Sequence, residues 1–372
     1  MATMMARVCA GREQEAWSLF LLFVIVLMTI TGCNEYPISS SPVPTSTPAL
    51  VPPRSIIHST LPLQEVWRRE VPKIYQYAGS AVIPSSTIFR VQGGTLYMVA
   101  FHPVAEDPLK PVQILALDMT NGLQHWVTEQ MAYVESFAVG PEAVFVTSVQ
   151  GIIAHDSATG KEKWVSNQPP PSHEGYTLSF DDSVLNFIID SGLHYSYTQI
   201  DPQSGQVGPL QESDKVLTKI DSRYRYTWDP LDTLWLEDIH TNRAEQIISI
   251  PGSPDDPLRE DNILIIPYLK QDPSGWQSVI VVDLTTKQTL WECAVCFASD
   301  IAVDNGNLYA VRQDGALVIY SVTTGKLMGT VEFSGGSKID PNSQLYAVAA
   351  ANGYVFLYFS DTQQLLALGP SH

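Results

Sequence analysis

Positive charge is scarce in this chain. Its 21 Lys and Arg stand against 39 Asp and Glu, a formal charge of −18 over 372 residues. Nucleic-acid binders hold phosphates with clustered Lys and Arg, so no nucleic-acid partner is expected. Anionic lipid surfaces are disfavoured for the same reason. Cysteine is also rare, with four in the chain and no two adjacent. Beyond residue 33 no stretch of 12 residues keeps a helical apolar period. GxSxG, HExxH, GxxxxGK(S/T) and GxGxxG are all missing. Gly160-Lys161 and Gly325-Lys326 lack the flanking residues of a phosphate loop and read as turn glycines. Apolar residues are plentiful at 45%, enough for a real core, which excludes global disorder.

One long hydrophobic run occurs. Arg7 and Arg12 precede an uncharged stretch from Trp17 to Ile30, 14 residues long. A spanning helix needs about 20, whereas a signal-peptide core needs only about 7–15. Ile30-Thr31-Gly32-Cys33 follows and resembles the lipobox of bacterial lipoproteins. That resemblance implies a signal peptide over 1–32, an acylated Cys33 and lipid anchorage on the extracytoplasmic face of the cell membrane. The competing reading is a short transmembrane anchor with an incidental cysteine. Residues 33–62 are rich in Ser, Pro and Thr and nearly uncharged. Such a stretch cannot bury a core and reads as an extended tether. A ligand for a proline-binding domain is the weaker alternative, since no motif repeats there.

The remaining body, 63–372, repeats. Asp118 leads through Gly122 to Trp126, Asp156 through Gly160 to Trp164, and Asp283 through Lys287 to Trp291. Each Trp falls eight residues after its Asp. Weaker copies start at Asp201, Asp238 and Ser321, and Gly369 takes the Asp slot in the last. The seven markers are 37 to 48 residues apart, the spacing of four-stranded propeller blades. Short β-rich runs precede each marker, many apolar at consecutive positions, as strands covered on both faces are. In the Asp-to-Gly turn, Asp caps through its side chain and Gly supplies a positive φ. Trp then opens the outer strand, with a ring able to wedge between blades. Near the N-terminus, Gln64–Glu70 resembles an orphan outer strand with Trp67 in the tryptophan slot. Pairing it with the C-terminal strand closes the ring and removes open edges.

The pattern LxALD, TG and W, crispest from Leu115 to Trp126, resembles the quinoprotein-type (PQQ-like) β-propeller repeat. The expected fold is therefore all-β, a single propeller of seven four-stranded blades. Eight is the alternative, because such repeats often number eight and 206–275 is degenerate enough to hide one. WD and Kelch repeats fit less well: Trp-Asp occurs once, at Trp228-Asp229, and double glycines only at Gly93-Gly94 and Gly335-Gly336.

Chemistry is harder to find. Quinoprotein dehydrogenases place adjacent cysteines against the quinone and gather acids around calcium, and neither set is visible here. Cys293-Ala-Val-Cys296 can form a small disulfide in an oxidising compartment or remain as buried thiols. Asp181-Asp182 and Asp255-Asp256 read as solvated loop tips rather than calcium ligands. His125 and His155, beside repeat markers, read as surface turn residues. Tyr224, Tyr226, Trp228, Trp235 and Trp276 form an aromatic-rich stretch, either inter-blade packing or a binding face. No catalytic, cofactor-binding or metal-binding residue is assigned. The expectation is a monomeric, non-catalytic, lipid-anchored propeller that serves as a scaffold for protein partners at the cell envelope. In address and repeat type it is similar to the propeller lipoprotein of the outer-membrane β-barrel assembly machinery. The alternative is a quinone-dependent oxidoreductase or small-ligand binder using the central channel.

Overall fold

Short β-branched runs bounded by Asp, Asn and Gly turns give antiparallel hairpins wherever they recur. The computed structural model follows that rule along the chain. It describes residues 54–59, 63–72, 89–101, 111–132, 134–148, 150–166, 175–181, 183–191, 194–270, 277–334, 346–360 and 362–370. Residues 1–32, read as a signal peptide, Cys33 and the first part of the stretch read as tether lie outside the described residues. Among those described there are strands and turns but no helix.

Consecutive strands pair in groups of four. Phe89–Gln92, Thr95–Phe101, Pro111–Asp118 and Gln124–Val127 form the first group. Groups starting at Phe137–Val139, Gly175–Asp181 and Val216–Ile220 repeat the order. The 17-residue strand Gln288–Asp304 is different. Its first half pairs with Gln277–Asp283 and its second half with Asn307–Arg312, so it fuses two groups into one nine-stranded sheet. Among the described residues hydrogen bonding therefore defines six sheets, four of them with four strands, one with five and one with nine. The last group takes Leu63–Glu70 as its outer strand, paired with Gln364–Pro370. The N-terminal strand thus closes the ring.

First strands of neighbouring groups pack on one another, Phe89–Gln92 lying between Tyr346–Ala351 and Phe137–Val139. They surround the axis, and the last strands form the rim. The core lies between sheets rather than in one place. Leu96, Met98 and Leu117 meet Phe356, Tyr358 and Leu365 across one junction, and Leu234, Leu236, Ile266 and Tyr268 meet across another. Strands such as Ala143–Ser148 are accordingly buried along their whole length. The smallest cluster holds only Ile188, Tyr197, Leu217 and Ile220. One strand falls inside the stretch read as tether: Arg54–Ser59 pairs with Leu327–Ser334 over six residues. The folded body thus begins earlier than its composition suggests, because backbone pairing along a sheet edge needs no apolar sequence pattern.

Each repeat tryptophan reaches forward rather than serving its own turn. Trp67 Nε1 donates to the Met119 carbonyl at 2.9 Å, and Trp126 Nε1 to Ser157 at 2.9 Å. Trp164 Nε1 donates to Pro202 at 3.0 Å and Trp291 Nε1 to Val322 at 2.6 Å. Each indole thereby lies flat on the glycine that ends the next repeat's turn. A Cβ on Gly122, Gly160, Gly205 or Gly325 would come within 2.6–2.8 Å of Trp67, Trp126, Trp164 or Trp291 respectively. In the turns where Asn242 and Lys287 replace glycine, φ is still positive, at 52° and 57°. The preceding tryptophan slots there hold Pro209 and Gln246. Glycine is needed where an indole presses on the turn; left-handed backbone alone does not demand it.

This separates two glycines of equal φ. Gly306 has φ +73° with open space around it, whereas Gly160 has φ +71° under Trp126. Gly306→Ala should cost about 1 kcal/mol, the left-handed penalty alone. Gly160→Ala should cost about 3 kcal/mol, since the indole must also move. Denaturant midpoints at constant m-value test this; equal costs would show that the indole contact is dispensable.

Candidate functional site

Charged side chains gather where the first strands meet. Arg90, in Phe89–Gln92, sits 5.3 Å from the Phe137 ring centroid and donates from Nη1 to the Phe89 carbonyl at 3.0 Å. Burial pulls its pKa down to about 10, against the opposing pull of Asp256. Lys219, in Val216–Ile220, donates to the Pro257 carbonyl at 3.1 Å and lies 5.7 Å from the Tyr226 ring. Burial also holds this ammonium below its usual range, with Asp256 and Asp221 opposing and Arg90 reinforcing the shift. Arg90 and Lys219 belong to groups that are not neighbours in the ring. Each stands on the first strand of its group, and Asp256 opposes the effect of burial on both cations.

A bulge positions Asp256. Gly252–Pro254 and Leu258–Glu260 pair with the same partner strand, leaving Asp255–Pro257 opposite Ile266 and Pro267. The extra residue turns neighbouring side chains to different sides. Asp255 accepts from Gln277 Nε2 at 3.1 Å and from the Asp256 amide at 2.7 Å, and burial raises its pKa. The Asp255-Asp256 pair is therefore not a solvated loop tip. Asp181 is not one either: its Oδ2 accepts from the Ser222 amide of the next group at 2.6 Å. Asp182 lies outside the described residues. Glu260 and Asp304 act like Asp181, capping Gly306 at 2.7 Å and Gly353 at 2.7 Å. Nearby, Asp221 Oδ2 takes the Tyr226 hydroxyl and lies 3.5 Å from Arg259 Nη1.

The other sequence candidates scatter. Tyr226 and Trp228 are core residues, Tyr224 and Trp235 are half-buried, and Trp276 lies outside the described residues. The aromatic stretch therefore does not form one face. His125 is partly exposed beside Asp118 at 3.8 Å, but His155 is buried with Nδ1 3.1 Å from the Gly160 carbonyl. Its burial lowers the imidazole pKa, so the surface reading of His155 is corrected. Cys293 and Cys296 are bonded to each other, with Cα atoms 5.9 Å apart. They sit at the register shift between the two halves of Gln288–Asp304 and pack near Phe297 and Tyr320. Among the described residues, no three His, Cys, Asp or Glu are grouped to hold a metal ion. The axial cluster itself went unread in the sequence. Arg90, Lys219 and Asp256 are 37 to 166 residues apart in the sequence, which gives no local signal of a relation among them.

The repeat aspartates occupy the rim turns. Asp118 Oδ1 accepts from the Thr120 amide at 2.8 Å, the Thr120 hydroxyl at 2.6 Å and the Asn121 amide at 3.1 Å. Asp156 repeats this with the Thr159 amide at 2.9 Å and hydroxyl at 2.8 Å. Asp283 accepts from the amides of Thr285 and Thr286 at 2.7 and 2.9 Å. The hydroxyl bond from Thr120 or Thr159 is the largest cause lowering Asp118 and Asp156 below the usual carboxylate range. Backbone amides do the same for Asp283, Asp201 and Asp238.

These features define a β-propeller with an axial charge cluster. No protein-family description and no curated protein matches the sequence. Solved structures do. BamB from Moraxella catarrhalis aligns over 83% of this chain and 98% of its own, with TM-score 0.50 and 12% identity. The quinohemoprotein alcohol dehydrogenase of Comamonas testosteroni aligns over 84% and 78%, with TM-score 0.53 and 11% identity. The Pan2 WD40 domain of Neurospora crassa aligns over 83% and 96%, with TM-score 0.55 and 11% identity. At such identities the likeness is one of fold.

The turn aspartates set a pH dependence. A carboxylate whose folded pKa lies below its unfolded value adds stability above the unfolded pKa of about 4. That contribution is lost as pH falls through the lower folded value. Asp255 acts oppositely, since its raised pKa makes ionisation unfavourable in the fold. Asp229 and Asp314 are lowered as well, and seven lowered carboxylates against this one predict acid unfolding below about pH 4. Asp156→Asn should be less stable than wild type at pH 7, with a smaller gap at about pH 3, below the unfolded carboxylate range. Urea unfolding at both pH values measures it; a gap unchanged between them would show that the turn does not use the ionised form.

Proposed function

We propose that this protein is a non-catalytic, lipid-anchored extracytoplasmic propeller that serves as a scaffold for protein partners at the cell envelope. The observation that carries the reading is the joining of a lipobox-like motif and a Pro/Ser/Thr-rich stretch to a ring closed by a strand early in the chain, Leu63–Glu70. A closed ring is a stiff platform, and a tether keeps it near a membrane while leaving its loops free. The likeness in fold to BamB supports the same reading. A second reading, a small-ligand binder or quinone-dependent oxidoreductase, is favoured by Arg90, Lys219 and Asp256 at the axis.

Two experiments separate them. In-cell crosslinking of the anchored protein, with Cys33→Ala as the mislocalised control, should recover a near-stoichiometric protein partner that the control loses. Titration of the mature chain with pyrroloquinoline quinone and calcium should show no saturable binding. Micromolar binding with dye-linked dehydrogenase activity would overturn the scaffold reading.

A further inference from the structure

An outer strand of a propeller group presents unpaired backbone groups to any chain that can lie along it, so exposed edges are normally blunted. Four of the rim strands here follow that rule. Gln124–Val127 and Gln211–Ser213 have only four and three residues. Glu162–Ser166 carries Glu162 and Lys163, and Arg243–Ser249 carries Arg243 and Glu245. The ring-closing strand Leu63–Glu70 is long but bears Glu65, Arg68, Arg69 and Glu70. Leu327–Ser334 breaks the rule, as does the first half of Gln288–Asp304, whose one charge is Glu292. Leu327–Ser334 has eight residues, LMGTVEFS, with no proline and a single charge at Glu332. Val331 is fully buried, and Phe333 packs on the same cluster.

That strand is also unusual in being covered. Among the described residues, the other rim strands named above, Gln288–Asp304 aside, end their sheets, whereas Leu327–Ser334 has a further neighbour, Arg54–Ser59. The pairing is antiparallel and unbroken, from Arg54 opposite Ser334 to Ser59 opposite Gly329. The covering segment belongs to the stretch whose composition reads as tether and is separated from Leu63–Glu70 by only three residues. It is joined to Leu327–Ser334 by a ladder of six residues and also lies against Leu63–Glu70.

We propose that the outer edge of Leu327–Ser334 is a strand-addition site, held by the chain's own Arg54–Ser59 and taken over by an extended antiparallel strand of a protein partner. Backbone hydrogen bonds supply affinity in such pairing, and the residues opposite alternate positions supply selectivity. The partner segment needs about six residues free of proline, with the residue that replaces Ile57 lying opposite Val331. The chain's own strand competes as a tethered ligand at an effective concentration in the millimolar range. A partner therefore succeeds only if it pairs better or arrives while the tether is drawn away. This inference deepens the scaffold reading by assigning it a surface.

The test uses the mature chain and a labelled synthetic peptide of residues 52–61. Ile56→Pro with Ile57→Pro removes whichever of the two amides faces Leu327–Ser334 and forbids regular pairing at the centre of the covering strand, which lies outside the closed ring, and an unchanged melting transition confirms folding. Those amides of Leu327–Ser334 that face Arg54–Ser59 should exchange at least about tenfold faster in this variant than in wild type. Added peptide should bind the variant at least about tenfold more tightly than wild type and restore the protection. Amides that stay slow in the variant would show that Arg54–Ser59 does not cover this edge. Fast amides that saturating peptide leaves fast would show that the edge does not accept a strand. Both readouts use purified protein, so they stand apart from whether crosslinking in cells recovers a partner.

Discussion

The structure depends on one contact, an indole lying on a glycine of the following repeat. It binds in two ways at once: the ring covers a turn that has no Cβ, and its N–H satisfies a carbonyl of that same turn. An aromatic face of this size excludes water from the junction, while the hydrogen bond fixes its orientation. Because each tryptophan reaches forward, the contact couples groups rather than stabilising one hairpin. Trp67 performs this across the chain termini, docking on the Asp118–Gly122 turn. Ring closure is therefore secured twice, by the pairing of Leu63–Glu70 and by an indole identical in role to those inside the chain.

Where the indole is missing, charge takes over. The slots that would serve the turns at Asp238 and Asp283 hold Pro209 and Gln246, and Gly329 precedes the last group. At the first of these junctions Asp181 caps Ser222, and the Ser179 hydroxyl donates to Ile220 at 3.0 Å. At the second, Lys219 reaches Pro257, and Arg259 faces Asp221. At the third, Asp304 caps Asn352 at 3.1 Å and Gly353 at 2.7 Å. The indole ties lie toward the rim turns, and these substitutes lie on the first strands and the turns that follow them. A ring can tolerate weak repeats if every junction is tied at some radius, and this one is.

That arrangement explains what could be read in the sequence. The markers from Asp118 to Trp291 carry local turn chemistry, so strand groups and ring closure were legible from spacing alone. That each tryptophan wedges between groups was expected; that it points forward, onto the glycine of the following repeat, was not, because spacing carries no direction. The pairing was nevertheless present in the letters: glycine ends a turn where the preceding slot is tryptophan, and Asn242 or Lys287 ends it where that slot is not. His155 was misread because an imidazole beside a turn marker resembles a surface residue. Its burial arises from tertiary packing that spacing does not encode. Arg54–Ser59 was hidden for a different reason. Strand addition uses backbone, so a segment with tether-like composition can join a sheet without an apolar pattern.

The axial cluster follows a similar logic, with a different energetic sign. Indole joints gain by removing apolar surface from water, whereas Arg90 and Lys219 are cations that burial disfavours. Held apart from an acid, such groups would each cost several kcal/mol. Asp256 offsets part of that cost for both, and the bulge at Asp255–Pro257 brings it within reach. A ring built only for stiffness would be better served by apolar residues at these positions, since replacing buried ion pairs by packed hydrophobic groups is often neutral or stabilising. Charge retained at the axis is thus a feature that rigidity alone does not account for. The rim and the axis answer different demands: the rim joins the groups, and the axis keeps polar groups poised where all the groups converge.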